Sequence, residues 1–157
     1  MEDFNPQAYV GKWYEIVRDR LNPYTISTDC VTKEFGLNAD GDVDLYFRGY
    51  YSLLFRYAGV DGTLYQCNEG TPSTWTCMAT MGGRPERHPI KMFDTDYENY
   101  EIYYDCTEFA GFKTESFAVS SRTKKMTPEV LETVKTVIKE KIPQYDLDTS
   151  SLLYWDK

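Results

Sequence analysis

The chain has 157 residues, of which 41% are apolar and 16% aromatic. That excludes a disordered chain and suffices for a core built without metal. A net charge of −8 excludes a nucleic acid partner and an anionic membrane surface, since both need a basic face. No run approaches the roughly 18 apolar residues of a membrane-spanning helix, so no membrane span is expected.

Turn signals recur at short intervals over the first 120 residues: Asn22-Pro23, Asn38-Ala39-Asp40-Gly41, Asp61-Gly62, Asn68-Glu69-Gly70 and Gly82-Gly83. The runs between them are rich in Tyr, Phe, Val, Ile and Thr, which predicts a meander of β-strands. Eight strands are expected, near 12–19, 30–37, 43–57, 63–67, 74–81, 89–94, 99–106 and 114–121. In the third run Val43, Leu45, Phe47, Tyr51, Leu53, Phe55 and Tyr57 occupy odd positions, while Asp44, Tyr46, Arg48 and Arg56 occupy even ones. Alternation of side chains across a strand therefore predicts one aromatic and one charged face. Tyr100, Ile102 and Tyr104 repeat the pattern against Glu101 and Asp105, and Phe117 shares a face with Val119.

After residue 126 the period changes. Val130, Leu131, Val134, Val137, Ile138 and Ile142 recur at three and four residues, which predicts an amphipathic helix. Thr127 suits its N-cap, Pro128 its first position and Pro143 its end. Leu152-Leu153-Tyr154-Trp155 predicts a short final strand. Without repeats or linkers, residues 1–157 read as one domain.

The single histidine, His88, lies in a predicted loop and excludes sites built on several imidazoles. Cys30, Cys67, Cys77 and Cys106 form no C-x-x-C pair, so no metal site is expected. An even, well-spaced set points to two disulfides and an oxidising compartment, with four free thiols in a cytosolic protein as the alternative. Cys67 and Cys77 flank one turn, which favours Cys67–Cys77 and leaves Cys30–Cys106; all three connectivities stay open. The first residues show no signal-peptide pattern, so the chain reads as a mature protein with an added start Met.

Eight sequential antiparallel strands leave two edges unless the sheet closes. The fold class expected is thus all-β: an eight-stranded antiparallel up-and-down barrel with a C-terminal helix packed outside. A β-sandwich is the rival, disfavoured by the short turns.

Gly11-Lys12-Trp13-Tyr14, preceded by Phe4-Asn5-Pro6, resembles the first signature of the lipocalin family. Asp94-Thr95-Asp96-Tyr97-Glu98-Asn99-Tyr100 resembles the second, and Arg122, before the helix, the third. All three occur in order, and the resemblance covers nearly the whole chain, closest to apolipoprotein D and the bacterial lipocalins. It implies structural roles for Trp13 and Arg122, with the guanidinium across the indole, and for the Thr95-Asp96-Tyr97 turn.

The resemblance also implies a cavity for a small hydrophobic ligand such as a fatty acid, retinoid, carotenoid, sterol or bile pigment. Phe47, Tyr51, Leu53, Phe55, Tyr57, Trp75, Met92, Ile102, Tyr104 and Phe117 are the expected lining. A carboxylate ligand would want a cation near the mouth, for which Arg18, Arg20, Arg56, Arg84 and Arg87 are candidates. No cofactor is expected beyond a bound lipid or pigment, and no protein partner is named. Secretion, or residence in an oxidising lumen, follows from the cysteines. Thr28-Asp29-Cys30 with Glu34-Phe35 also resembles the lipocalin domain of violaxanthin de-epoxidase, which would make Asp29 a proton donor to an epoxide. These 157 residues contain no cysteine-rich stretch of the kind that accompanies that activity, so a binding protein is the primary expectation and an enzyme the minority one. An interaction module using the mouth loops is a further alternative.

Overall fold

The computed structural model describes residues 4–19, 28–66, 75–81, 84–85, 92–109, 112–145, 147 and 152–154. A short helix α1 (Pro6–Tyr9) precedes β1 (Gly11–Asp19), β2 (Thr28–Leu37), β3 (Val43–Tyr51) and β4 (Arg56–Gln66). Then come β5 (Trp75–Met81), β6 (Arg84–Pro85), β7 (Met92–Thr95), β8 (Tyr100–Phe109) and β9 (Phe112–Ser121), followed by α2 (Pro128–Lys141) and β10 (Leu152–Tyr154). All strand pairs are antiparallel, in the order β6-β5-β4-β3-β2-β1-β9-β8-β7, and β10 pairs with β1. Among the described residues no helix is long and apolar enough to cross a membrane.

The run expected as one strand over 43–57 is two strands. Tyr51 pairs with Arg56, and residues 52–55 between them form a 3-10 turn that ends at Phe55 with φ +50°. The turn holds no Gly, Pro, Asn or Asp, so the composition that usually marks a turn is missing. Reversal there also exchanges parity: on β4 the even positions, not Tyr57, continue the face of Phe47 and Tyr51.

Helix α2 has the expected caps. Thr127 Oγ1 accepts from the Val130 N–H at 3.4 Å, with Pro128 in the first turn. Its buried Val134 and Ile138, with Ile142 just beyond, pack on Val17, Ile102, Phe117 and Val119. These residues belong to β1, β8 and β9 and define the convex face of the sheet. Full burial of each such side chain contributes on the order of 1.5–3 kcal/mol.

The opposite, concave face holds a second cluster of Tyr9, Trp13, Phe35, Val43, Leu45 and Leu64. Bulges between Glu15 and Val17 and between Asp29 and Thr32 shift the alternation on β1 and β2. Val17 thereby turns to the helix while Arg18 joins Glu15 on the concave side. The sheet is strongly curled, because Lys33 of β2 touches Glu101 of β8 although β1 and β9 lie between those strands. In a flat sheet three strand spacings would separate them by about 14 Å.

Candidate functional site at the floor of the concave face

Strand register sets the two ends of the sheet. The turns after β2 and β7 lie at the end that holds Trp13, and the β3–β4 and β8–β9 turns lie at the other. The Trp13 end is sealed. Trp13 is fully buried and its Nε1 donates to the Tyr9 carbonyl at 3.1 Å. The Tyr9 ring stacks on Trp13 at 5.4 Å and leans on Phe35 at 4.7 Å.

Beneath this layer the Arg122 guanidinium lies 3.7 Å from the Trp13 ring centroid. It donates to the carbonyls of Tyr97 at 3.0 Å, of Ala8 and Tyr9 at 3.2 Å, and of Lys12 at 3.4 Å. Gly11 is required here. Its φ is +104°, and a Cβ on it would sit 3.0 Å from Arg122 Nη1. Thr95 Oγ1 donates to the Tyr100 carbonyl at 2.6 Å and accepts from the Tyr97 N–H at 2.9 Å. Asp96 accepts from the N–H groups of Glu98, Asn99 and Tyr100 at 2.7–3.1 Å. Partial burial would raise its carboxyl, but these bonds and the Asn99 side chain outweigh burial and hold it below the ordinary value. Trp13, Arg122, Thr95, Asp96 and Tyr97 thus meet at the floor as bracing.

Above the floor the concave face is polar in one place. The buried Glu101 carboxyl accepts from the Tyr9 hydroxyl on one oxygen and from Lys33 Nζ on the other. Burial pushes Glu101 up to about 8, against the Ser120 hydroxyl and the Arg122 charge, which oppose the rise. Burial pushes Lys33 down to about 8, against the nearby Glu15 charge. A second pair lies beside it on β1. Arg18 Nη1 meets Glu15 Oε1 at 3.0 Å and Thr28 Oγ1 at 3.3 Å, and Nη2 donates to the Thr28 carbonyl. Arg18, one of the cations expected near the mouth, is therefore buried and engaged.

The expected lining is divided by the fold. Phe47 and Tyr51 face the concave side, half-buried. Leu53 and Phe55 stand on the β3–β4 turn, 81% and 84% exposed, and Tyr57 is 67% exposed beside Tyr50 on the convex side. Ile102 and Phe117 are buried beneath α2, and Tyr104 packs there against Tyr145. Alternation tells which residues share a face but not which face turns inward, and a strand beneath a helix is apolar outward. The side chains of Trp75, Met92, Cys77 and Cys106 lie outside the described part, as do Cys67, His88, Arg20 and Arg87. Cys30 sits at the β2 bulge with φ +51° and is an exposed free thiol, so the Cys30–Cys106 bond is not formed here. Asp29 accepts from Ser52 Oγ at 2.6 Å and so ties the β3–β4 turn to β2. Sequence reasoning missed Lys33 and Glu101, since charge on an alternating strand signals solvent.

A curled antiparallel sheet with a plugged floor and a helix across its back defines the class of small β proteins that hold ligands on a concave face. Residues 10–155 match the Lipocalin / cytosolic fatty-acid binding protein family, and the chain belongs to it. It is similar to apolipoprotein D of Bos taurus, 26% identical over 143 residues that cover 87% of this chain and 70% of that protein. It is similar to the outer membrane lipoprotein Blc of Vibrio cholerae, 27% identical over 154 residues that cover 98% and 83%. In fold it resembles insecticyanin from the tobacco hornworm Manduca sexta, with a TM-score of 0.79 at 20% identity, covering 100% of this chain and 82% of that one.

Proposed function

We propose that the protein binds one small hydrophobic ligand on its concave face and carries or sequesters it unchanged. The observation that carries this reading is the asymmetry of that face. One end is sealed by Tyr9, Trp13 and Phe35, while Phe47 and Tyr51 remain partly exposed toward the other. A wall of that kind favours an apolar molecule, at roughly 25 cal/mol per Å² removed from water. Family membership supports it, since the family is described by fatty-acid binding. The candidates are a fatty acid, retinoid, carotenoid, sterol or bile pigment.

In this reading the sheet closes between its β5–β6 end and β7 into an eight-stranded barrel that removes both edges. The four cysteines and the likeness to apolipoprotein D support a secreted protein or one held in an oxidising lumen. The de-epoxidase alternative loses ground: Asp29 is a brace for a turn, and neither reported relative is named as an enzyme.

Native mass spectrometry of the protein purified from its source, with displacement of the neutral dye Nile red, tests the proposal. A one-to-one complex with an apolar molecule is expected. A protein that carries nothing and takes up neither Nile red nor any lipid refutes it.

A further inference from the structure

The most exposed large apolar side chains among the described residues stand together at the open end. Leu53, Leu54, Phe55 and Tyr57, on or beside the β3–β4 turn, are 56–84% exposed. Residues 52–57 are exposed without a break, and the sequence from Gly49 to Phe55 holds no charged residue. Apolar side chains left in water at this density mark a contact surface. The turn is held in place from behind. Ser52 Oγ donates to Asp29 at 2.6 Å, Tyr51 pairs with Arg56, and the Tyr50 ring meets Tyr57 edge-on at 5.2 Å. None of these contacts draws Leu53, Leu54 or Phe55 back onto the sheet.

Size and charge decide what covers this tip. At that exposure, side chains of roughly 150–250 Å² each present less than the roughly 800 Å² that one partner buries in a stable complex. The tip alone is too small to hold a second copy of the chain. A lipid surface demands no matching shape and closes around each side chain that enters it. The composition suits such a surface: Leu and Phe at the apex, Tyr57 with an apolar ring and polar end, and Arg56, whose long stem lets its charge stay in water. Asp29 and Arg56 bring one charge of each sign to the base of the tip, so it fits an electrically neutral surface. The connections at the sealed end carry Asp40, Asp42, Asp96 and Glu98, whereas the β8–β9 connection at the open end reads Phe109-Ala110-Gly111-Phe112. The nine residues of β3 separate the two ends by about 30 Å, against a screening length of about 8 Å, so the acidic end does not repel what the tip touches.

We propose that the β3–β4 turn is a docking tip for an electrically neutral phospholipid surface, which Leu53, Leu54 and Phe55 enter while Arg56 and Tyr57 stay at headgroup level. Docked in this way, the open end of the concave face meets the lipid. Tyr51, half-buried at the end of β3, lies between the tip and Phe47 on that face. An apolar ligand then passes between bilayer and protein without crossing water. That passage rests on the ligand-carrier reading above; the docking does not.

Flotation of the intact protein with phosphatidylcholine vesicles tests the docking. The protein is expected to float with the vesicles equally at about 0.1 M and 1 M salt, because apolar insertion is not screened. Replacing half of the phosphatidylcholine by phosphatidylglycerol is expected not to tighten binding. Leu53→Ser and Phe55→Ser each weaken partitioning by about tenfold, whereas Leu37→Ser, at an exposed leucine of the sealed end, leaves it unchanged. Protein that stays behind in the soluble fraction, or that binds only vesicles containing phosphatidylglycerol, overturns the docking tip. So does flotation that Leu53→Ser and Phe55→Ser leave unchanged. A dimer in solution that these variants lose, without flotation, assigns the turn to a second copy and overturns it as well. Uptake of vesicle lipid by protein that does not float overturns the docking and leaves the carrier reading intact; flotation without uptake of Nile red does the reverse. The salt and lipid comparisons on the unmodified chain decide the matter even if a variant fails to fold.

Discussion

Replacing Arg122 by Ala measures how much the sealed floor depends on one side chain. Three of its hydrogen bonds run to carbonyls at 3.0–3.2 Å, and its guanidinium covers the Trp13 ring at 3.7 Å. Taking about 1 kcal/mol net per bond, at the low end because the group is half-exposed, and about 1 kcal/mol for the stack, the loss is about 4 kcal/mol. The Arg122→Lys variant keeps the charge and reaches one carbonyl, so its loss is about 2–3 kcal/mol. Urea unfolding followed by tryptophan fluorescence reads both as shifts in midpoint at constant slope, about 2 M for Ala. A loss below about 1 kcal/mol for Ala, or wild-type stability for Lys, refutes the reasoning.

Stability against pH has a definite shape. Glu101, raised from 4.5 to about 8, holds its proton more tightly folded than unfolded, so stability falls as pH rises between those values. Lys33, lowered from 10.5 to about 8, has released its proton in the folded state while the unfolded chain keeps it, so stability recovers as pH rises from about 8 toward 10.5. Tyr100 and Tyr145, both raised by burial and a neighbouring carboxylate, lose their contribution above pH 10. Urea midpoints from pH 6 to 10 should pass through a minimum near pH 8; a steady rise across that range would sink the assignment. Phe55 occupies the left-handed region at φ +50° and is 84% exposed, so Phe55→Gly relieves strain and removes no packing. A gain of about 0.5–1 kcal/mol, a few degrees in thermal midpoint, is expected, and a fall in midpoint would show that the turn is not strained.

The path from residues to fold was readable where local chemistry acts alone. Thr127, Pro128 and the apolar spacing of α2 stand where capping and period place them. Arg122 lies over the Trp13 ring, and Thr95 accepts from the Tyr97 N–H within the turn. The site was less legible. Ile102 and Phe117 share a face, as alternation requires, but that face lies under the helix, a fact of tertiary packing that period alone does not carry. The β3–β4 turn escaped because its residues are apolar and one of them takes a backbone angle suited to glycine. Lys33 and Glu101 escaped because they are 68 residues apart and meet only through the curl of the sheet.

Strand β1 is the seam of the molecule. It pairs with β9 along one edge and with β2 along another, and β10 joins it at Val17–Asp19. β1 is thus made well before β9 and β10, two of the three strands that pair with it. Until then it is an open hydrogen-bonding template with a half-built interior. Such long-range pairing folds slowly and is vulnerable to misassembly during synthesis.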